Sequence, residues 1–263
     1  MQKKEQPSLV ALITGASSGV GCELAKILAS DSYNLILCGR NKQALEELKA
    51  TLRVQVEIVA GDLGVPDDQE ALIRIIHEKK PDLVINSAGL GFYGELTDKE
   101  VKETIEVNCQ ALTLVTLAAC KMFKATQKSG TVMNISSVFG FLPTPSMSVY
   151  AASKAYVLFF SEALDFEMQK QGVRILTSCP GGIKTAFKAR ASRKQQEDIT
   201  EPSFMMSAET AARKIYAQIK KGRSVQIIDW KSCLFVFLMR LIPRRRALAF
   251  LHKEIQNRLL THS

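Results

Sequence analysis

The chain has 263 residues, 46% of them apolar and 23% charged, the composition of a folded globular protein rather than a disordered or collagen-like one. Its net charge of +9 is uneven: residues 1–187 hold 19 Lys and Arg against 20 Asp and Glu, and residues 188–263 hold 16 against 6. An anionic partner is therefore expected to meet the last third. The six cysteines, Cys22, Cys38, Cys109, Cys120, Cys179 and Cys233, include no C-x-x-C pair, which argues against a disulfide framework or zinc site and for a reducing compartment. The first residues lack the apolar core of a secretory signal. The apolar run 233–239 is far shorter than the ~20 residues of a membrane span. A cytoplasmic location is expected, with peripheral contact at a membrane surface as an option.

In chain order, apolar runs at 9–13, 35–37, 54–59, 83–85, 131–135, 173–177 and 225–228 predict seven strands. Segments of helical spacing begin near Gly19, Lys42, Asp67, Asp98, Val149 and Ser207 and return the chain between them. This alternation predicts an α/β fold, a Rossmann-type doubly wound parallel sheet with helices on both faces. With no repeat or linker to divide it, 1–263 is read as one domain, with a core at 8–228 and a basic amphipathic C-terminal helical extension at 229–263. Ligands of such sheets bind beyond the carboxyl ends of the strands.

The first such end carries Gly15, Ser17, Ser18, Gly19, Val20 and Gly21 in the turn Thr14-Gly-Ala-Ser-Ser-Gly-Val-Gly, directly before a helix. Glycines there permit a tight turn and close backbone approach, and the helix aims its unpaired N–H groups at a pyrophosphate. After the second strand, where a carboxylate would bind the ribose 2′-hydroxyl of NAD, stands Arg40. A guanidinium pairs with a 2′-phosphate and stacks on adenine, so NADP(H) is the expected cofactor. Asp62 and Leu63 follow the third strand, and Asn86, Ala88 and Gly89 end the fourth. Asp62 can accept from an adenine amino group, and Ala88-Gly89 lets backbone approach the ribose. Either turn could equally be a plain loop.

Ser137 follows the fifth strand, and Tyr150 and Lys154 open the next helix one turn apart. At i,i+4 they share a face. A free phenol has a pKa of about 10. A cation about 4 Å away, at an effective dielectric of about 20, supplies about 4 kcal/mol toward ionising it. Ser137 can hold a substrate oxygen against the phenol. His77, His252 and His262 lie outside these motifs.

These residues carry a resemblance. T-G-x-x-x-G-x-G, the N-S-A-G variant of N-N-A-G, a Ser thirteen residues before Y-x-x-x-K, and Pro180-Gly-Gly-Ile-Lys-Thr185 occur in order, and the chain resembles a short-chain dehydrogenase/reductase over residues 8 to about 228. The resemblance implies that Tyr150 exchanges the proton and Ser137 orients the carbonyl. It implies that Lys154 binds the nicotinamide ribose and lowers the tyrosine pKa, and that Asn108 holds a water of the proton relay. It places Pro180, Gly181, Ile183 and Thr185 around the nicotinamide, and it implies a dimer or tetramer. The expected activity is NADP(H)-dependent interconversion of a small-molecule ketone and secondary alcohol, in the direction of reduction, on an apolar ketone or a 3-oxoacyl chain. A non-catalytic NADP-binding regulator or scaffold would show as a lost Ser, Tyr or Lys, and all three are present.

Beyond Thr185, the segment to Ser207 is placed to cover a substrate. Phe187, Phe204, Met205 and Met206 are candidate walls of an apolar pocket, or ordinary core. Lys188, Arg190, Arg193 and Lys194 could meet the phosphates of a carrier thioester. In the tail, Leu248, Leu251, Ile255 and Leu259 recur at helical spacing after Pro243-Arg-Arg-Arg246. That face either rests on an anionic membrane surface or packs on the body or a second subunit. The tail lacks interleaved aromatics and any recognised module, so no nucleic acid is expected.

Overall fold

A computed structural model describes residues 9–193 and 205–260. Lys194 and Phe204 lie outside the described residues, as do the side chains of Lys188 and Leu259. The chain runs β1 (Val10–Thr14), α1 (Gly19–Ser30), β2 (Asn34–Gly39), α2 (Lys42–Thr51), β3 (Val56–Ala60), α3 (Pro66–Lys79) and β4 (Leu83–Asn86). It continues through α4 (Asp98–Ile105), a π-helical segment (Glu106–Ala111), α5 (Leu112–Thr126), β5 (Gly130–Ile135), α6 (Ser148–Met168) and β6 (Val173–Cys179). Then follow β7 (Ile183–Lys184), α7 (Ala186–Ser192), β8 (Met206–Ser207), α8 (Ala208–Lys221), β9 (Val225–Ile227), α9 (Trp230–Leu241) and α10 (Arg244–Leu260).

The seven expected strands form one sheet in the order β3-β2-β1-β4-β5-β6-β9, every neighbouring pair parallel. This is the doubly wound Rossmann-type arrangement. Alternation along a strand feeds two cores: Ala11 and Ile13 of β1 pack with Leu24, Ala25 and Leu28 of α1, while Leu12 packs with Leu72 and Ile76 of α3 and Val115 and Ala119 of α5. The chain reverses its winding between β1 and β4, so their carboxyl ends diverge and open a crevice. Two features exceed the sequence reading. The short parallel pair β7–β8 is too brief to leave a periodic signal. The π-helical segment interrupts what reads as one helix from Asp98, and it carries the buried Asn108.

The tail resolves one open alternative. Ala247 and Leu251 of α10 and Val236 and Met239 of α9 form a third buried cluster with Val138 and Leu142, and Ile255 is buried as well. The regular apolar face of α10 thus rests on the body of the protein, not on a membrane. Among the described residues no helix is long and apolar enough to cross a membrane.

Candidate active site

The ends of β1 to β6 converge on a cavity of about 860 Å³. The turn after β1 contributes Gly15, Ser17, Ser18, Gly19 and Val20 to its wall; Arg40 follows β2, Asp62 and Leu63 follow β3, and Ala88 and Gly89 follow β4. Ser137 arrives from β5, Tyr150 and Lys154 from α6, and Pro180, Gly181, Ile183 and Thr185 from the segment after β6. Residues scattered over most of the sequence therefore share one crevice.

The β1–α1 turn is built for close approach. Gly15 has φ +68, and a Cβ there would lie 2.8 Å from both N and Cα of Ala88; only glycine fits. A Cβ on Gly21 would collide with the Gly15 carbonyl oxygen, so Gly21 seats α1 against the turn from behind and is not part of the wall. Ser18, at the N-cap of α1, places no side-chain oxygen on the first-turn N–H groups. An uncapped helix start on a glycine turn, facing a cavity, is a fit for a pyrophosphate. Thr14 Oγ1 accepts from both Ser87 and Ala88 N–H at 3.1 Å, locking the ends of β1 and β4 together.

Two asparagines lie behind the wall. Asn86 is buried and donates to Thr116 Oγ1 at 3.1 Å and Asn134 Oδ1 at 2.9 Å. Its side chain belongs to a polar network within the core, behind the residues that line the cavity. Asn108 is fully buried; it accepts from Leu90 N–H at 2.8 Å and donates to Leu90 O at 2.7 Å and Ser153 Oγ at 2.9 Å. Asn108 ties the loop after β4 to α6. These bonds give the side chain a positioning role.

The proton-handling groups stand together, but not as expected. Tyr150 packs between Phe139, edge-on at 6.5 Å, and Phe187 at 5.3 Å. Lys154 Nζ lies 5.7 Å from the Tyr150 ring centroid and donates to Ile135 O at 2.9 Å. Burial lowers Lys154 to about 8. Burial pushes the Tyr150 phenol up, and a hydrogen bond with Ser137 only partly opposes it. In the protein alone, burial rather than the ammonium sets the direction of the phenol's shift. Desolvation dominates, and the ammonium is turned toward a carbonyl of β5.

Near the second-strand end, Arg40 Nη1 stands 3.6 Å from Asp62 Oδ2, both side chains about half exposed. The other oxygen of Asp62 accepts from Gly64 N–H at 2.9 Å. Arg190 on α7, read from the sequence as a candidate for a carrier phosphate, lines the same cavity near Arg40, a placement the sequence did not announce. Burial, then the like charge of Arg40, lowers its pKa. Arg193 is not available to a carrier phosphate. It forks onto Glu100 with both bonds at 2.7 Å and donates to Tyr93 O and Glu95 O. Met205 and Met206 line the cavity, and Met206 alone also packs on the core. The tail supplies wall that sequence reasoning did not place there: Phe235 of α9 and Phe250, Leu251 and Ile255 of α10.

The sequence model of the short chain dehydrogenases matches residues 9–196. The protein belongs to the short-chain dehydrogenase family. An uncharacterized oxidoreductase of Staphylococcus aureus (strain USA300) is 36% identical to this short-chain dehydrogenase over 186 residues, which is 68% of this chain and 80% of that one. A short-chain dehydrogenase from Sphingobium yanoikuyae, solved in complex with NADPH, superposes with a TM-score of 0.78 at 30% identity, covering 84% of this chain and 88% of its own. The bulky-bulky ketone specific alcohol dehydrogenase from Comamonas testosteroni gives 0.73 at 26% identity, covering 83% and 85%. This short-chain dehydrogenase is thus an oxidoreductase by family, with the family's Rossmann fold.

Proposed function

We propose that the protein is an NADP(H)-dependent reductase that converts an apolar ketone or 3-oxoacyl group to the secondary alcohol. The carrying observation is that Ser137, Tyr150 and Lys154 meet in the wall of the same cavity as the glycine turn at α1. Gly15, Ser17–Val20 and the start of α1 would hold the pyrophosphate, and Ala88, Gly89, Pro180, Gly181, Ile183 and Thr185 the nicotinamide half. A bound nicotinamide supplies hydride chemistry.

The chain's own residues handle the oxygen. Ser137 donates a hydrogen bond to the carbonyl and holds it at the phenol. Tyr150 gives its proton to that oxygen. Burial keeps the phenol protonated well above neutral pH, the state needed by a proton donor and so suited to reduction. The Lys154 ammonium, held by Ile135 O, is placed to bind ribose hydroxyls and to stabilise the phenolate left after transfer. Arg40 and Arg190 give two cations for a 2′-phosphate, and the NADPH bound to the Sphingobium relative agrees with that choice. Phe139, Phe187, Met205 and Phe235 make the substrate end apolar, in keeping with the ketone acted on by the Comamonas relative. All six cysteines are free thiols, as suits the cytoplasm. A homo-oligomer is supported by the exposed Leu114 of α5 and Tyr156, Phe159 and Phe166 of α6, an apolar surface of the kind subunits cover.

The test is NADPH oxidation at 340 nm over a panel of ketones and 3-oxoacyl thioesters, with Tyr150→Phe alongside. Losing the proton donor is expected to lower kcat by about 10²- to 10⁴-fold while NADPH still quenches or shifts protein fluorescence. Undiminished turnover in Tyr150→Phe, or no binding of NADPH by the wild type, would overturn the reading.

A further inference from the structure

The helix α9 is apolar on two sides, and only one of them is covered. Val236 and Met239 face the buried cluster. Trp230, Leu234, Phe237, Leu238 and Leu241 recur every three or four residues on the other side, and all are exposed, Trp230 by 70%, Phe237 by 58% and Leu241 by 68%. Ile242 and Phe250 extend the same exposed surface. A row of large apolar side chains left in water along a whole helix is the signature of a surface with an occupant.

Charge identifies the occupant. Residues 230–250 contain five Lys and Arg (Lys231, Arg240, Arg244, Arg245 and Arg246) and no Asp or Glu. All five are exposed, and Arg244, Arg245 and Arg246 form the start of α10 directly beyond the apolar row. A two-fold contact between copies would set this patch against itself, with five cations facing five and no carboxylate to neutralise them. An anionic bilayer satisfies both halves: apolar side chains enter the acyl boundary and arginines meet the headgroups.

We infer that α9, with the arginines at the start of α10, docks the protein on the surface of an anionic membrane. The face differs from the one that periodicity suggests, since the regular stripe of α10 is buried and the outward side of α9 takes its place. The cavity is part of the same arrangement. Trp230 and Phe250 line the cavity and also stand in the exposed apolar surface, so its mouth adjoins the lipid when the protein is docked. On the reductase reading above, the substrate class is a ketone dissolved in the bilayer, delivered without passing through water.

The experiment is flotation of the full-length protein with vesicles of phosphatidylcholine and phosphatidylglycerol, and with phosphatidylcholine alone. Wild type should float with the anionic vesicles, less so as salt is raised, and stay with the soluble fraction otherwise. Phe237→Glu/Leu241→Glu should weaken binding about 100-fold or more. Arg244→Gln/Arg245→Gln/Arg246→Gln should weaken it by about fivefold per arginine, on the order of 100-fold together. Both variants change exposed side chains only, so circular dichroism and melting should match wild type. Failure of the wild type to float, or equal flotation of the Glu variant, overturns the docking. So does a wild type that ignores lipid while Phe237→Glu/Leu241→Glu lowers its sedimentation coefficient, which would give the face to a second copy. Flotation needs no turnover, so the docking stands or falls apart from the reductase reading. For the substrate class, kcat/KM for a long-chain ketone presented in anionic vesicles should fall in the Glu variant while that for a short soluble ketone holds. An equal kcat/KM for the vesicle-borne ketone in both proteins would refute delivery from the bilayer.

Discussion

Replacing Lys154 by methionine should abolish turnover and make the protein more stable. Lys154 is 4% exposed, and burial lowers its pKa from 10.5 to about 8. At 1.36 kcal/mol for each pKa unit, keeping the ammonium inside the fold at neutral pH costs about 3 kcal/mol. Methionine has a similar length and no charge. Its main loss is the hydrogen bond to Ile135 O at 2.9 Å, worth about 1 kcal/mol, beside a weaker cation–ring contact with Tyr150 at 5.7 Å. The net expectation at pH 7 is a gain of about 2 kcal/mol, or roughly 4–6 °C in Tm for a chain of this size. The pH dependence carries the diagnostic sign. Below about 8 both folded and unfolded wild type hold the proton and the cost is full. Between about 8 and 10.5 the unfolded chain binds more protons than the folded one, so wild-type stability rises with pH and the advantage of Lys154→Met fades. Urea unfolding of both proteins at pH 7 and pH 10 measures this directly. A variant less stable than wild type at pH 7, or a difference unchanged at pH 10, would refute the reasoning.

The cofactor preference is checked with Arg40→Ala. Its half-exposed pair with Asp62 at 3.6 Å is worth at most about 1 kcal/mol, so releasing Arg40 to a phosphate costs little. A bond to the phosphate is worth about 1.5–3 kcal/mol. Steady-state kcat/KM for NADPH should therefore fall about 10- to 100-fold with NADH unaffected, and Arg190→Ala should shift the ratio in the same direction by less; equal losses for both cofactors would remove the assignment. At the opposite end of the sheet, Asp165 accepts from Arg174 Nε at 2.9 Å, Ser224 Oγ at 2.7 Å and Ile175 N–H at 2.8 Å. Burial alone would raise its carboxyl, but these donors outweigh it and hold the pKa below the usual value of 3.8. Asp165→Ala should cost about 3 kcal/mol at pH 7 by orphaning them. The gap should narrow as pH falls below about 4 and the wild-type carboxylate is protonated; a gap that persists unchanged at pH 3 in urea melts would assign the effect to packing.

What the sequence made legible is what local pattern decides. The seven strands, the glycine turn before α1 and the one-turn spacing of Tyr150 and Lys154 are each set by residues close together in the chain, and each is found in place. Asn86 was legible by its place at the end of the fourth strand, and Asn108 only through resemblance. Their partners, Thr116 and Asn134 in one case and Leu90 and Ser153 in the other, lie up to 48 residues away, so no local pattern announces the bonds by which they brace the site. Arg190 shows the same limit. Its approach to Arg40 joins residues on α7 and at the end of β2, and no spacing in the sequence announces that meeting.

The tail makes the physical reason plain. Periodicity tells which residues share a face, and Leu248, Leu251 and Ile255 do share one, but it does not tell what the face meets. Val138 and Leu142, which cover α10 and the inner side of α9, come from the segment after β5, more than 90 residues earlier in the chain. Once that contact is made, the regular stripe is buried and the patternless run 233–239 becomes the informative one, because a helix apolar all round has one side left over after packing. The same step joins the site to the surface. Phe235 and Phe250 reach the cavity only because α9 and α10 fold back on it, so the elements that bring the arginines to one edge of the protein also complete the pocket in which the phenol of Tyr150 works.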